Sequence, residues 1–420
     1  MYNKKQWILH IDGDGFFAYC EIARFPHLHG KPVVVGEERG IAMAMTYEAK
    51  RLGITRGMPM FKIREQFPGV TILTSHFELY DHYAVKLCTL LEADVSVLEK
   101  YSIDECFALV YLPKDWSKNQ VYIWLAMLKK KIQKQIGLTY SFGMARTKVL
   151  AKIASKYQKP DGATVVMIED EKELLQKTSI ESVWGIGWRL SRRFQTLRVT
   201  TAYEFSQWPE QRVMDSFNAP VQELWHEMNG RNRFEVSNDR NQSKSLQATR
   251  SFVPASVDPS YIAAELLHNA DVVFVRMRKQ KLFTNGVSIY IKTTDQKYSG
   301  VAIPLPRYTN NVLDVTTIIR EQVVALLQKG IRYKATGITV LNLRKDVHVQ
   351  EDLFGEQKAS TEEGKLMDTI DAIRRRYGQT SVTVLSTMPS NKYRLQKSIA
   401  RQTTDKYIYG LPLPYLGEVQ

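Results

Sequence analysis

The chain has 420 residues, 44% of them hydrophobic, enough for sizeable cores in two to four domains at about 150 residues each. It has no run of about 18 apolar residues, and the opening MYNKKQWILHID is too briefly apolar for a signal peptide. Three scattered cysteines, Cys20, Cys88 and Cys106, form no CxxC pair, which argues against a zinc ribbon or disulfide frame and for a reduced, cytoplasmic setting. The net charge is +14, and residues 241–345 alone carry 15 Lys/Arg against 6 Asp/Glu, so the expected partner is a polyanion gripped mainly there.

In chain order, WILHID is a short apolar run ending in acid and predicts a buried strand. KPVVVG and GIAMAMTY predict two more strands with a turn at 37–40. A helical pattern begins at Glu48 and is punctuated by Gly53, Gly57 and Pro59. TILTS predicts a strand, 76–98 a long amphipathic helix, and VLEKYSIDECFALVY a hairpin. Residues 116–136 predict a helix, LTYSFGMA a strand, and 148–157 a helix stopped by Pro160 and Gly162. The expected first domain is thus an α+β sheet with helices on one face. Residues 171–232 read as short helices around a Gly-Ile-Gly turn, and 234–245 as a polar linker. Residues 246–344 then run strand, helix, strand, strand, helix, strand, and 361–377 form a last helix.

Two acidic clusters stand at predicted strand ends, Asp12-Gly13-Asp14 and Asp104-Glu105. Neighbouring strands of one antiparallel sheet would bring them together. Carboxylate oxygens are the ligands Mg²⁺ prefers, and two such ions about 3.5–4 Å apart stabilise both oxygens of an in-line phosphoryl displacement. Asp12 and Asp104 would then bridge the ions, with Glu105 and the Gly13 carbonyl completing the shells. Any one of these acids, taken alone, would more often be a solvated strand-end residue.

These segments carry a resemblance. HIDGDGFFAYCE is similar to the first palm motif of Y-family DNA polymerases, and YSIDECF to the family's Tyr-Ser-Ile-Asp-Glu-Ala-Phe, with Cys106 in place of Ala. SFGMARTKVLAKIASKYQKPDG resembles the third block, a Gly-Ile-Ala strand followed by Lys-x-Leu-Ala-Lys and Lys-Pro-x-Gly. Motif spacing and the tail most resemble the UmuC/UvrX-like bacterial branch, the ImpB/MucB/SamB group. The resemblance implies a multidomain α+β, right-hand-like polymerase. Its parts would be a ferredoxin-like palm (1–30 and 75–167), small fingers (31–74), a helical thumb with a helix-hairpin-helix (168–233), a linker (234–245), a βαββαβ little finger (246–347) and a tail (348–420).

The same resemblance assigns roles. Phe17, the second aromatic of the FFA motif, would pack under the incoming sugar and exclude a 2′-hydroxyl, a task suited to rigid aromatic bulk. Strand-like alternation would set Phe16 into the core and Phe17 on the opposite face. TYEAKRLGITRGMP resembles the finger motif Tyr-x-Ala-Arg-x-x-Gly, so Tyr47 and Lys50 would contact the triphosphate, lysine supplying charge without arginine's fork. Lys159 would add a phosphate contact. Ile41, Met43 and Met45 alternate before Tyr47 and either roof the new base pair or fill core. In VWGIGWRLSRRF, Gly185 and Gly187 would expose backbone N–H groups to a DNA phosphate, and Arg198 stands where relatives often have glycine. KSLQATRSF resembles the little-finger opening and puts Arg250 on DNA. Gln350, Leu353 and Phe354 match a bacterial sliding-clamp ligand.

The implied activity is template-directed, error-prone DNA synthesis from dNTPs on primer–template DNA past lesions, with two Mg²⁺ ions and no proofreading. The implied partners are the clamp and, as in UmuC-like relatives, a recombinase filament or accessory subunit. A nucleotidyl cyclase can share the palm-like sheet and paired acids, but leaves the basic 241–345 region unexplained. A non-catalytic DNA-binding repair factor of the same fold is the third reading, against which Asp12, Asp104 and Glu105 speak.

Overall fold

The computed structural model describes residues 4–238, 244–345, 357–378 and 381–382, and these fall into two compact units that divide at Asp239/Arg240. Among the described residues no helix is long and apolar enough to cross a membrane.

The first unit begins with β1 (Lys4–Gly13) and α1 (Phe16–Arg24). A small insert follows: β2 (Val33–Val35), β3 (Ala44–Met45), α2 (Tyr47–Arg51), α3 (Met60–Gln66) and β4 (Thr71–Leu73), with strand order β3-β2-β4. Its own core is Val34, Ala42, Met45, Ala49, Ile54, Met60 and Ile63. Strand pairing here is shorter than the sequence pattern suggests, and Ile41 makes only an isolated bridge to Pro59. The chain continues through α4 (Phe77–Glu92), β5 (Val97–Lys100), β6 (Glu105–Pro113), α5 (Lys118–Ile136), β7 (Tyr140–Ala145), α6 (Lys148–Tyr157) and β8 (Ala163–Val165).

These strands form one sheet in the order β5-β6-β1-β7-β8, antiparallel except for the β7–β8 pair. Alternation along β1 sends Trp7, Leu9 and Ile11 into a core with α4 and α5. It sends Ile8 to the opposite face, into a core with Val149, Leu150 and Ile153 of α6. Helices therefore cover both faces, not one as the element order suggested; the apolar face of α6 needs a second layer to bury it. The helix expected over 76–98 ends at Glu92, because Val97 pairs with Leu109 and the sheet claims that segment. By contrast α5 is bounded by local chemistry: Ser117 and Gln120 form a capping box, and Gly137 ends it at φ 77°.

The close fit of α6 depends on Gly143 in β7. A Cβ there would stand 2.2 Å from both the Ala151 carbonyl oxygen and the Ser155 nitrogen, so only glycine lets the helix lie this near. Five helices complete the unit: α7 (Glu171–Gln176), α8 (Trp188–Thr196), α9 (Ala202–Ser206), α10 (Glu210–Ser216) and α11 (Ala219–Met228). At their centre Phe194 stacks on Phe217 and Phe205 meets both edge-on, continuous with the α6 core.

The second unit runs β9 (Leu246–Ser256), α12 (Pro259–Lys279), β10 (Thr284–Thr293), β11 (Tyr298–Thr309), α13 (Leu313–Leu326), β12 (Tyr333–Leu341) and α14 (Gln357–Tyr377). Its sheet has the order β11-β10-β12-β9, with Val287, Ile289, Ile291, Ile338 and Val340 packed under α12 and α13. Two arginine–aspartate forks fasten α14 to α12, Arg278 to Asp371 and Arg374 to Asp271.

Candidate active site and nucleic-acid interface

The register of β1 on β6 makes Asp12 and Glu105 direct cross-strand partners, with His10 opposite Phe107. The Gly13 N–H donates to the Asp104 carbonyl at 2.9 Å, so both acidic clusters meet at one sheet end. Ligand atoms of His10, Asp12 and Glu105 all lie within 4.8 Å of one another. Asp104, in the hairpin turn, stands beside this trio and accepts from Ser102 Oγ at 2.6 Å. Burial, with the charges of Asp12 and Glu105 adding to it, raises the Asp104 carboxyl against that bond.

Lysine ammonium groups already occupy the cation side of these acids. Lys159 Nζ donates to Asp12 Oδ1 at 2.5 Å and lies 3.4 Å from the Gly13 carbonyl. Lys152 of α6 donates to Glu105 Oε1, which also meets His10 Nε2 at 2.6 Å. Burial pushes Glu105 upward, but the bonds from His10 and Lys152 prevail and hold it near about 2. Burial likewise keeps His10 neutral, outweighing Glu105. A neutral ring must donate from Nε2, since an ionised Glu105 only accepts, and its Nδ1 lies 2.7 Å from Ser155 Oγ, whose single proton is directed at the Lys152 carbonyl 2.9 Å away. An oxygen-rich set that draws ammonium groups into contact is the donor chemistry a hard divalent cation requires.

Asp14 does different work. It is 1% exposed, accepts from Ser141 Oγ and the Asp161 N–H at 2.8 Å each, and faces the Tyr47 phenol. It ties the loop after α6 to β7 and so places Lys159. Sequence patterning put Asp14 in the first acidic cluster without a role of its own, and gave no role to His10, Lys152 or Ser155. For His10 a signal existed: two residues before Asp12 on a strand, it must share that residue's face.

Phe16 and Phe17 open a helix rather than continue a strand, so they do not take opposite faces: Phe16 is core at 3% exposure, and Phe17, partly buried, packs against the same core. Tyr47 begins α2, whose Thr46 cap accepts from the Ala49 N–H. Burial and the carboxylates of Asp14 and Asp12 push the Tyr47 phenol up, keeping it a neutral donor. Lys50 Nζ lies 4.2 Å from the centre of the Tyr47 ring. Tyr47, Lys50 and Lys159 thus converge on the acids. Met45 is core, at 3% exposure, while Ile41 is 43% exposed.

Gly185 (φ 88°) and Gly187 are exposed on either side of buried Ile186, and Gly187 precedes the first turn of α8. Arg198 takes the left-handed φ of 56° that a glycine would adopt freely. Register puts Arg250 opposite Thr336, on the helix-covered side of its sheet, 3.9 Å from Glu265 of α12. Gln350, Leu353 and Phe354 lie outside the described residues.

One unit is thus an α+β sheet that gathers carboxylates and lysines at one end, and the other is a βαββαβ unit rich in basic residues. The impB/mucB/samB family model matches residues 11–156, and the model of the impB/mucB/samB family C-terminal domain matches 243–353. DNA polymerase IV of Streptococcus pyogenes serotype M28 is 28% identical over 346 residues, covering 81% of this chain and 94% of the relative. The serotype M1 protein of the same name matches equally. Among solved structures, a Y-family DNA polymerase chimera of Dbh and Dpo4 aligns with a TM-score of 0.70 at 20% identity, over 81% of this chain and 100% of that one. An insertion ternary complex of Dbh DNA polymerase aligns at 0.54, with the same identity and coverage. The chain belongs to the impB/mucB/samB family, with the α+β fold of a Y-family DNA polymerase.

Proposed function

We propose that this chain is a template-directed DNA polymerase that extends primers from dNTPs past damaged template positions, without proofreading. The observation that carries this reading is the pairing of Asp12 with Glu105 across β1 and β6, beside Asp104 and under lysine ammonium groups. Asp12, Asp104, Glu105 and the Gly13 carbonyl are the groups that would hold divalent cations, Mg²⁺ and two in number by our reading. Bound there, such ions neutralise charge on the reacting phosphate oxygens.

The remaining residues bind and orient. Tyr47 donates from its neutral phenol, and Lys50 and Lys159 offer charge to a triphosphate; Lys159 must leave Asp12 to do so. Phe17 would pack under the incoming sugar. Phosphate contacts from Gly185 and Gly187, and from the basic second unit with Arg250 at its edge, would hold any DNA sequence and weaken with salt. Residues 350–354 would bind a sliding clamp, and the enzyme would work in the cytoplasm. In the net reaction the primer 3′-hydroxyl displaces pyrophosphate from the α-phosphorus, and the protein contributes positioning and charge neutralisation.

Primer extension with Mg²⁺ and four dNTPs tests this. The wild type should extend, and Asp104→Ala should lose about a hundred- to a thousandfold in rate, the scale of a lost electrostatic group. Equal extension by both proteins, or none by the wild type, would overturn the reading.

A further inference from the structure

A steric filter discriminates only if its ring cannot yield. Phe17 sits near the start of α1 and is partly exposed, so nothing in its own backbone fixes the ring. Its neighbours do. The Tyr80 ring of α4 lies flat against it, centroids 4.3 Å apart and planes 12° from parallel. Phe77 meets Phe17 edge-on at 5.7 Å, and Phe16 stands at 5.9 Å. A flat ring at stacking distance blocks both rotation of the Phe17 ring and its swing toward α4.

Tyr80 is itself held beyond what packing alone requires. It is fully buried, and its hydroxyl donates to Glu21 Oε1 at 2.5 Å. Glu21, on α1 with Phe17, is also fully buried. Such a carboxylate is costly unless donors surround it, and two more do: His76 Nδ1 at 2.9 Å and Arg24 Nη1 at 3.2 Å. The bond joins α4 to α1 one turn beyond Phe17, fixing the plane of the Tyr80 ring relative to the residue it supports. A core aromatic with no orienting duty would need no hydroxyl, and phenylalanine would serve.

We propose that Tyr80, anchored by the buried carboxylate of Glu21, is the positioning residue that holds the Phe17 ring in place and so sets discrimination between deoxyribose and ribose. This rests on the reading of Phe17 as the sugar filter. It adds the reason that ring stands firm, and names a specificity determinant in the second aromatic layer.

The test uses the full chain, one primer–template with a single template G, and dCTP or rCTP, comparing kcat/KM for the two nucleotides. Phe17→Ala serves as the reference variant. Tyr80→Leu should narrow the deoxy/ribo ratio by about tenfold, the scale of a lost aromatic pair. Tyr80→Phe and Glu21→Gln keep core volume and should narrow it by only about threefold, the loss of one charge-assisted bond. In the Phe17→Ala background, Tyr80→Leu should change the ratio no further, because the two act as one unit. A general structural defect would lower both efficiencies and leave the ratio intact. If Phe17→Ala narrows the ratio while Tyr80→Leu leaves it unchanged, or adds to Phe17→Ala in full, the inference falls alone. Should Tyr80→Leu fail to fold, unchanged ratios in both Tyr80→Phe and Glu21→Gln overturn it. If Phe17→Ala itself leaves sugar choice unchanged, the filter reading falls and takes this inference with it.

Discussion

Both units bury ion pairs, and although the first has arginine pairs elsewhere, Arg146 with Glu171 and Arg24 with Glu21, the sheet end of the first and the helix joint of the second use different cations. In the first, Lys152 pairs with Glu105, and Lys148 meets both oxygens of Glu99 at 2.6–2.8 Å, with side-chain exposures of 9% and 5% for the two lysines. Each ammonium also lies near aromatic faces, Lys152 by Tyr101 at 4.7 Å and Lys148 by Phe107 at 5.0 Å. In the second, Arg278 and Arg374 grip Asp371 and Asp271 through paired N–H bonds of 2.7–3.0 Å. An ammonium is a point charge on a flexible stem, so another cation can replace it; a guanidinium fork matches one carboxylate in one orientation. At the sheet end lysines therefore stand where cations must exchange, while at the α12–α14 joint arginines fasten two helices.

The largest effect on this contrast should come from Gly143. An alanine there would press a methyl into the backbone of α6 at Ala151 and Ser155. The helix must shift, carrying Lys152 and Ser155 away from Glu105 and His10. Gly143→Ala should cost about 3 kcal/mol or more, as overpacking against rigid backbone does, and abolish primer extension. Urea unfolding and extension assays check both; a variant within about 1 kcal/mol of wild type would show that the close approach is not needed.

A smaller, pH-dependent effect should separate the lysine pairs from the rest. Glu105 is held near about 2, below its ordinary 4.5, so its contribution to stability is complete above pH 4.5 and vanishes as pH falls through 2. That shift corresponds to roughly 3 kcal/mol. His10, neutral by burial, begins its own loss earlier, as the unfolded ring takes up protons below its ordinary 6.5. Lys152→Met should raise the Glu105 carboxyl and flatten the acid limb between pH 4.5 and 2. Urea midpoints in EDTA at several pH values measure this; identical limbs would show that Lys152 does not hold Glu105 down.

What was legible in the sequence was what neighbours along the chain decide. The strand WILHID, the strand LTYSFGMA and the helix 148–157 follow from apolar period and caps, and the strand–helix order of 246–344 from alternation. The convergence of Asp12 and Glu105 was legible because both end strands of one sheet. What escaped needed two elements at once. Lys152 and Ser155 matter only through the face α6 turns to β1 and β6, and α6 covers the second face of the sheet only because Gly143 admits it. Arg250 keeps an exposed side chain, but its nearness to Glu265 of α12 shows only once the strand register is known. The end of α4 escaped because Val97 fits a helical period as well as a strand, and pairing with Leu109 decided.

The smallest global effect belongs to the joint, and it sharpens the contrast most. Arg374 is 4% exposed, bonds Asp271 through both terminal nitrogens and donates from Nε to the Val382 carbonyl at 2.9 Å. Arg374→Leu would strand Asp271 under α14. Removing one partner of a buried pair costs about 3–5 kcal/mol if the other stays buried. Here it need not, because α14 can lift and let water reach Asp271, so the cost is capped by what docks the helix: two forks and buried Met367. Hydrogen exchange of α14 amides should then quicken by about a hundredfold, while β10 and β12 amides keep their rates, the mark of local opening. Asp271→Leu combined with Arg374→Leu should restore most of the protection, since no buried charge is left unpaired. Primer extension should stay within about twofold of wild type, because a fork that fastens two helices takes no part in exchanging cations at the sheet end.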